Sequence, residues 1–492
     1  MKTKVWSTHS LPKFSFHAAL LIASSSALAF GAKAPKSDSS GDNPMNRYLQ
    51  KSLTQVSLRA GVRPEALRGL FDAIKNTSAT QNISSQLIQN CSSKFSSDLE
   101  SRSEMLNCLS RLGRSALNEE LHFSLEEFTP ALYKTQHKSE SEKSLFLIGL
   151  IEDMIRQNRV DQGLAAHWFD SKKGYLPSKT QRDYHYQHGD VMLGMGNTSI
   201  SSLISHVTVP QSRFSHAFLM KENADKSFST LEALVETGPR EFKPDHFIKD
   251  PYNELWLTRW KNSRERANVS SKAVDWASRV AKEKRPYDLK MDIRDDSKIF
   301  CSEFIIRALT EATGKSVEDI APVPSKITND KIFEYIKRVS VESREIPAPS
   351  DMLESPYLEV LAKYRKADDL YREWELFLMG DLFVERLKEG ANFDADPLYM
   401  AASTPIYALQ LFPSLLVSEA RLIPKKIGPG TLAVMATTEL KLYKPAIKWA
   451  RKQLNAESDM NLLSTSPWLV RAYYDYWMDN SINGRRHFEI RD

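Results

Sequence analysis

One cysteine stands where its thiol would be reactive. Cys301 lies at the predicted start of an amphipathic helix, whose apolar residues recur at helical spacing and which Gly314 would end. A thiol at a helix N-terminus faces unpaired backbone N–H groups and the positive end of the helix dipole, and both favour the reactive thiolate. The alternative is that Cys301 is a small buried apolar residue between Phe300 and Phe304.

A thiolate nucleophile needs a base, and the base needs a polar group that orients it. His216 is the best candidate base, because it lies on a predicted strand between the small residues Ser215 and Ala217, which leave room beside the ring. Taken alone, a histidine in such a place is more often structural than catalytic. The pair Cys301 and His216 therefore predicts acyl-transfer chemistry only if the fold brings the two together.

The elements that would position these two residues form an α+β block over residues 181–345. Alternation of apolar and polar residues predicts four strands, and helical periodicity predicts one helix before the Cys301 helix. The predicted strands are 190–194, 214–220, 231–236 and 255–260, and the predicted helix is 270–281.

Three blocks of sequence follow one another between about residues 185 and 320. They are Gly189-Asp190-Val191-Met192-Leu193 with Ser212-Arg213-Phe214-Ser215-His216-Ala217, then Val235-Glu236-Thr237-Gly238, then Pro286-Tyr287-Asp288 with Phe300-Cys301-Ser302-Glu303-Phe304. In content and order they resemble the permuted papain-like cysteine hydrolases of the YiiX/YebB type, a branch of the NlpC superfamily. The histidine strand of that family precedes its cysteine helix. The resemblance implies a permuted papain-like (NlpC-type) domain with an antiparallel sheet and a cysteine-bearing helix.

The same resemblance implies roles for three residues. Cys301 would be the nucleophile, His216 the base that becomes an imidazolium, and Glu236 the orienting third residue. Thr237 departs from the family, which usually has a small alanine after this glutamate, and this leaves Glu232 on the same predicted strand face as a rival. Both glutamates otherwise read as solvated carboxylates of a strand. Besides the backbone N–H of Cys301, Tyr287 is a candidate donor to an oxyanion.

Composition describes an ordinary globular protein. The chain has 492 residues, of which 41% are hydrophobic and 26% charged, so two to four domains are expected. The net charge of +5 is small for this length and gives no reason to expect nucleic acid as a partner. His185 and His188 are spaced like zinc ligands on a helix, but no further ligand follows at metal-site spacing, so neither a metal nor a cofactor is predicted.

The N-terminal residues predict export. Lys2, Lys4 and Lys13 precede an apolar run over 14–30, and Ala27-Leu28-Ala29 offers a cleavage site, so residues 1–29 are predicted to be a signal peptide. The alternative is a membrane anchor, for which the run is short. Residues 30–45 are predicted to be a flexible tether, and the mature protein is expected in the periplasm or outside the cell without a membrane span.

Export gives the three cysteines different roles. Cys91 and Cys108 would pair across a helical hairpin in an oxidising compartment, which would leave Cys301 as a free thiol. The alternative is that all three are free and buried.

Both flanks of the α+β block are predicted to be helical. Residues 46–180 form the predicted N-terminal helical region, and residues 346–492 form the C-terminal one. Ser355-Pro356 and Ser466-Pro467 are typical helix starts in the second region.

The function predicted from these features is an exported cysteine hydrolase that cleaves amide bonds through an acyl-enzyme, with esters and thioesters as further candidates. Its expected partner is a peptide, amide or acyl substrate, and peptidoglycan peptides are favoured by the export signal. Two alternatives stay open: a lipid acyl hydrolase or acyltransferase that uses the same residues, and a non-catalytic envelope binding protein that keeps the fold. The sequence leaves the oligomeric state open.

Overall fold

The structure is a computed structural model that describes most of the chain after residue 43. The described residues are 44–77, 83–132, 138–161, 175–176, 184–185, 187–196, 199–209, 212, 214–235, 237–242, 252–322, 324–365, 370–393, 395, 397, 399–400, 429–454 and 466–490. The predicted signal peptide and nearly all of the predicted tether lie outside these residues.

Helices account for most of the described chain outside residues 185–362, and five more lie in the described part of that range. In chain order they are α1 (Pro44–Ala60), α2 (Pro64–Asn76), α3 (Ser85–Ser92), α4 (Leu99–Leu112), α5 (Glu119–Leu132), α6 (Lys138–Asp161), α7 (Ser199–His206), α8 (Ser263–Glu283), α9 (Cys301–Thr313), α10 (Val317–Ile320), α11 (Asp330–Lys337), α12 (Leu370–Lys388), α13 (Pro429–Thr437), α14 (Lys444–Gln453), α15 (Pro467–Asn480) and α16 (Ile482–His487).

The strands form one large sheet and three two-stranded pairs. In chain order they are β1 (Tyr175–Leu176), β2 (Tyr184–His185), β3 (Val191–Gly196), β4 (His216–Glu222), β5 (Phe228–Leu234), β6 (Gly238–Phe242), β7 (Tyr252–Trp260), β8 (Ser325–Lys326), β9 (Glu345–Ile346), β10 (Leu358–Arg365), β11 (Ala391–Phe393) and β12 (Phe488–Ile490). The large sheet has six strands in the order β10-β7-β3-β4-β5-β6, and all neighbours are antiparallel.

The two faces of this sheet have different coverings, because successive side chains of a strand point to opposite faces. Leu193, Leu219 and Leu231 lie in one apolar cluster with residues of α8 and α9, which cover that face. The other face carries a smaller buried cluster that includes Met192 and Phe218. The predicted α+β class with an antiparallel sheet and a cysteine-bearing helix is confirmed.

The large sheet continues beyond residue 345, where the sequence predicted that the α+β block ends. The strand β10 pairs with β7 at the edge of the sheet, with a register shift between Val360 and Ala362. The predicted helix start at Ser355-Pro356 is wrong, since these residues lie in a turn that leads into β10. The short-range signal of serine before proline fits a turn as well as a helix start, and pairing with β7 decides between them.

The two helical flanks share one core. Side chains of α1, such as Leu53 and Val56, belong to the same buried cluster as Tyr474 and Trp477 of α15, and α1 packs along α15. Leu203 of α7 also belongs to this cluster, so the helical part is joined to the segment that connects β3 to β4.

Buried ion pairs accompany this core. Arg471 of α15 is fully buried and pairs with Glu385 of α12, while Arg386 of α12 pairs with Asp475 of α15. Because a buried charge is costly unless it is paired, these contacts fix how α12 and α15 face each other.

The predicted pairing of two cysteines, with the third free, is confirmed. Cys91 of α3 and Cys108 of α4 form a disulfide with a Cα–Cα distance of 5.4 Å, and Cys301 is free. Within the described part of the chain, no helix has the length and apolar character needed to cross a membrane.

Candidate active site

Cys301 is the first residue of α9, and the residues that follow it hold that helix start in place. Phe300 has extended backbone angles, and its N–H donates to Glu303 Oε2 at 3.2 Å. The hydroxyl of Ser302 donates to the carbonyl of Pro347 at 2.5 Å. The Cys-Ser-Glu run therefore caps and anchors the helix, and it leaves the thiol at the N-terminus with 7% of the residue exposed.

Glu303 is itself fully buried and is tied to the loop before Cys301. Its Oε1 lies 2.6 Å from Nε of Arg307, whose Nη1 lies 2.6 Å from Asp296 Oδ1. Burial raises the pKa of Glu303 to about 7, although the guanidinium of Arg307 acts in the opposite direction. Arg307 thus joins α9 to the loop that enters it.

His216 is the first residue of β4, next to the centre of the sheet. It pairs with Gly194 of β3, and the N–H of the preceding Ser215 donates to the carbonyl of Gly194 at 3.0 Å. The hydroxyl of Ser215 accepts from the N–H of Gly196 at 3.0 Å. These bonds determine where the strand begins and therefore where the imidazole lies.

The thiol of Cys301 lies close enough to the ring of His216 for each group to shift the pKa of the other. Glu232 binds Nε2 of His216 at 2.8 Å, so Nδ1 is the ring nitrogen that remains for the sulfur. The sulfur also lies 3.9 Å from the carbonyl oxygen of Ser215. The two predicted residues thus converge from opposite ends of an interval of more than eighty residues.

The charged forms of this pair are favoured. Burial alone would raise the pKa of the Cys301 thiol, but the His216 ring and a hydrogen bond from Tyr287 lower it below its ordinary value of 9.0. Burial alone would lower the pKa of His216, but its bonds to Cys301 and Glu232 raise it to about 10. Both shifts favour the pair of thiolate and imidazolium over the pair of neutral groups.

The carboxylate on His216 is fully buried and held by further donors. The hydroxyl of Thr230 donates to Glu232 Oε1 at 2.7 Å, and that of Tyr252 donates to Oε2 at 3.3 Å. Imidazole and carboxylate are thus joined by a direct hydrogen bond, and the sulfur lies 3.9 Å from the carbonyl oxygen of the residue before His216.

Strand register explains why the carboxylate that binds His216 is that of Glu232, which the sequence offered as the alternative to Glu236. Glu232 lies directly opposite Phe218, two residues beyond His216 on the same sheet face, and side chains that are diagonal in this way can touch. The strand β5 ends at Leu234. Glu236, the first choice for the orienting residue, lies outside the described residues.

Tyr287, the candidate oxyanion donor, also reaches the site. Its hydroxyl donates towards the sulfur of Cys301 at 3.8 Å. A parallel bridge joins Tyr287 to Ile299, two residues before Cys301. Gly238, with φ of +66°, lies under this segment, since a Cβ there would come 2.1 Å from the carbonyl oxygen of Arg285. That close approach is the physical reason for the glycine of the second block.

Gly189 and Asp190, from the first of the three sequence blocks, contact the sheet and α8. Asp190 is buried and forms a bidentate pair with Arg259 of β7, at 2.6 and 2.7 Å. Gly189 has φ of +84°, and a Cβ there would lie 2.3 Å from Ser270 of α8. Together these residues fix the start of β3.

The structure gives no metal centre among the described side chains of histidine, cysteine, aspartate and glutamate. Nδ1 of His188 accepts from the backbone N–H of Glu222 at 3.3 Å, and the side chain of His185 lies outside the described residues.

Sequence reasoning missed two side chains around the carboxylate, Thr230 and Tyr252. Thr230 carries a weak signal, because it lies two residues before Glu232 on the same strand face. Tyr252 carries none, since it comes from a strand that is distant in the sequence.

Residues 185–362 match the model of a family described as permuted papain-like amidase enzyme, YaeF/YiiX, C92 family. The matched range contains Cys301, His216 and Glu232, and nearly the whole of the six-stranded sheet. No curated protein matches the chain.

Proposed function

We propose that Cys301, His216 and Glu232 are the catalytic residues of a cysteine hydrolase, whose permuted papain-like amidase domain is matched over residues 185–362. Cys301 is the nucleophile, His216 the base and proton donor, and Glu232 the residue that orients the ring. The observation that carries this proposal is the hydrogen bond of 2.8 Å between His216 Nε2 and the buried Glu232, with the helix-terminal thiol 3.9 Å from the carbonyl oxygen of Ser215.

The geometry supports a two-step reaction. The thiolate attacks the carbonyl carbon of an amide, and the backbone N–H of Cys301 stabilises the oxyanion that forms, with Tyr287 as the second donor. The imidazolium of His216 gives its proton to the leaving amine, which departs and leaves an acyl-enzyme. Water then attacks the acyl carbon while His216 takes up a proton, and release of the acid restores the thiolate and imidazolium.

We further propose that the enzyme is exported and acts on cell-wall peptides or other amides of the envelope. The basic and apolar N-terminal run of the sequence supports export. The Cys91–Cys108 bridge also supports it, since disulfides persist in oxidising compartments.

The test combines activity with thiol chemistry. Purified protein is assayed on muropeptides, simple peptide amides, acyl esters and thioesters, and alkylation of Cys301 is followed from pH 5 to 11. We expect amide cleavage that falls at least about 10³-fold in Cys301→Ala and in His216→Ala, and rapid alkylation already at pH 6. His188→Ala is the matched control, because its ring contacts the backbone of Glu222 instead of the sulfur.

The alternatives give different results. Hydrolysis of acyl esters without cleavage of any amide would favour a lipid acyl hydrolase. Ordinary alkylation with a midpoint near pH 8.5 would contradict the catalytic pair and favour a binding protein.

A further inference from the structure

The ring of Tyr252 lies flat against the ring of His216. Their centroids are 5.6 Å apart, and the two planes differ by only 10°. Phe218 stacks on Tyr252 from a centroid distance of 5.5 Å. Such parallel aromatic contacts restrict rotation of the imidazole about its χ2 angle.

Tyr252 also contacts the second partner of the histidine. Its hydroxyl donates to Glu232 Oε2 at 3.3 Å, and this is the same oxygen that lies 2.8 Å from His216 Nε2. One buried side chain, 7% exposed, thus touches both ends of the imidazole–carboxylate bond.

Two backbone features admit Tyr252 to this position. The strand β7 pairs with β3 through a register shift between Met195 and Gly196, and Tyr252 pairs with Gly196 just beyond it. A Cβ at Gly194 would lie 2.8 Å from Cδ1 of Tyr252. Since Gly194 is the strand partner of His216, the glycine opens the space in which the aromatic ring covers the imidazole.

We propose that Tyr252 is a positioning residue for the reaction, an inference that rests on the proposed function of His216. Its ring fixes the plane of the imidazole and excludes water from the bond between Nε2 and Glu232. Without the flat ring, the imidazole could rotate out of line with Glu232 and Cys301, whose interactions favour its charged form. His216 would then lose its proton at lower pH, and the thiolate would lose its partner.

The experiment compares Tyr252→Leu and Tyr252→Phe with the wild type. Tyr252→Leu removes the flat ring and the hydroxyl, whereas Tyr252→Phe removes only the hydroxyl. The readouts are the pH profiles of kcat/KM and of Cys301 alkylation, together with kcat and KM separately. We expect Tyr252→Leu to move the alkaline limb to lower pH by about one unit, a tenfold change in the ionisation constant of His216. Its kcat should fall while KM changes little, and Tyr252→Phe should move the limb less than half as far.

Tyr357→Leu is the matched control, because Tyr357 also stacks on an aromatic ring of this sheet, that of Trp260, at 5.3 Å. It should leave the alkaline limb unchanged. If Tyr252→Leu does not fold, Gly194→Ala provides the second test, since its methyl group pushes the tyrosine ring away and should shift the limb in the same direction.

An alkaline limb that stays at the wild-type pH in Tyr252→Leu or Gly194→Ala, whatever the change in kcat, would overturn the positioning role. Failure of the proposed function looks different, because Cys301→Ala or His216→Ala would then retain activity.

Discussion

At the scale of single residues, the reactivity of Cys301 depends on its neighbours. A buried thiol alone would have a raised pKa, and the proximity of His216 reverses that direction. The histidine in turn depends on Glu232, since burial alone would favour the neutral ring. Each of these three side chains therefore stabilises the charge of its neighbour.

Two glutamates of one strand region provide a matched test at this scale. Glu232→Gln keeps the size of the side chain but removes the negative charge beside Nε2, so the pKa of His216 should fall and the thiolate should lose its partner. We expect kcat/KM to fall by at least about 10²-fold, as when the acid of a catalytic triad is replaced by its amide. Glu236→Gln should change kcat/KM by less than about twofold, because Glu232 is the carboxylate that binds Nε2 of His216.

The opposite ranking of the two variants would restore Glu236 to the orienting role. Thermal unfolding of both proteins controls for loss of structure, because Glu232 has donors besides His216 that an amide would satisfy less well.

At the scale of elements, the N-terminus of α9 is the feature on which the site depends. Glu303 caps the helix through the N–H of Phe300, and Arg307 links this carboxylate to Asp296 of the preceding loop. Ser302 and Glu303, which follow Cys301, thus have a structural role. They fix where the helix begins, and so where the sulfur lies.

This cap should make stability depend on pH in an unusual direction. The pKa of Glu303 is raised from 4.5 to about 7 in the folded protein, so the fold favours its protonated form. Its contribution to stability is therefore greatest at low pH and declines as pH rises from 4.5 to about 7. Glu303→Gln should remove this decline, so that the variant gains up to about 3 kcal/mol relative to the wild type across the interval.

Urea unfolding of both proteins at pH 4.5, 6 and 8 measures the difference. Glu318→Gln serves as the control, because this residue lies near a helix start of the same domain without burial of its side chain. A constant difference between Glu303→Gln and the wild type would contradict the raised pKa.

At the scale of the whole molecule, the catalytic sheet is attached to a helical body that both ends of the described chain build together. The cluster that contains Leu53 of α1 and Trp477 of α15 also contains Phe333 of α11, which lies within the family-matched range. The helical flanks are therefore not two separate attachments to the hydrolase domain. They form one core, and that core extends into the domain.

Trp477 tests this shared core. It is 2% exposed in α15, which packs along α1, so Trp477→Ala should destabilise the protein by about 3–5 kcal/mol. Because the core is shared, α1 should become open to proteolysis together with α15. Ile482→Ala, at a side chain that is 51% exposed, should have little effect on either measure. Protection of α1 in the Trp477 variant would indicate two independent helical units.

What the sequence by itself determined is local. The helix that begins at Cys301 and a strand that contains His216 follow from periodicity and end signals, which neighbouring residues encode, although the predicted strand began at residue 214. The pairing of Cys91 with Cys108 was also predictable, since both lie close together on successive helices. The order of the blocks pointed to a permuted papain-like domain, which the match over 185–362 bears out.

Only the tertiary structure decided which carboxylate and which aromatic ring meet the histidine. Glu232 reaches His216 because β5 pairs with β4 in one register, and a different register would present other side chains. Tyr252 of β7 reaches His216 because the pairing of β7 with β3 has a register shift, which no local sequence pattern predicts. The strand β10 and the joint helical core likewise depend on partners far away in the chain. A local pattern of apolar and polar residues does not reveal which distant segments will pair.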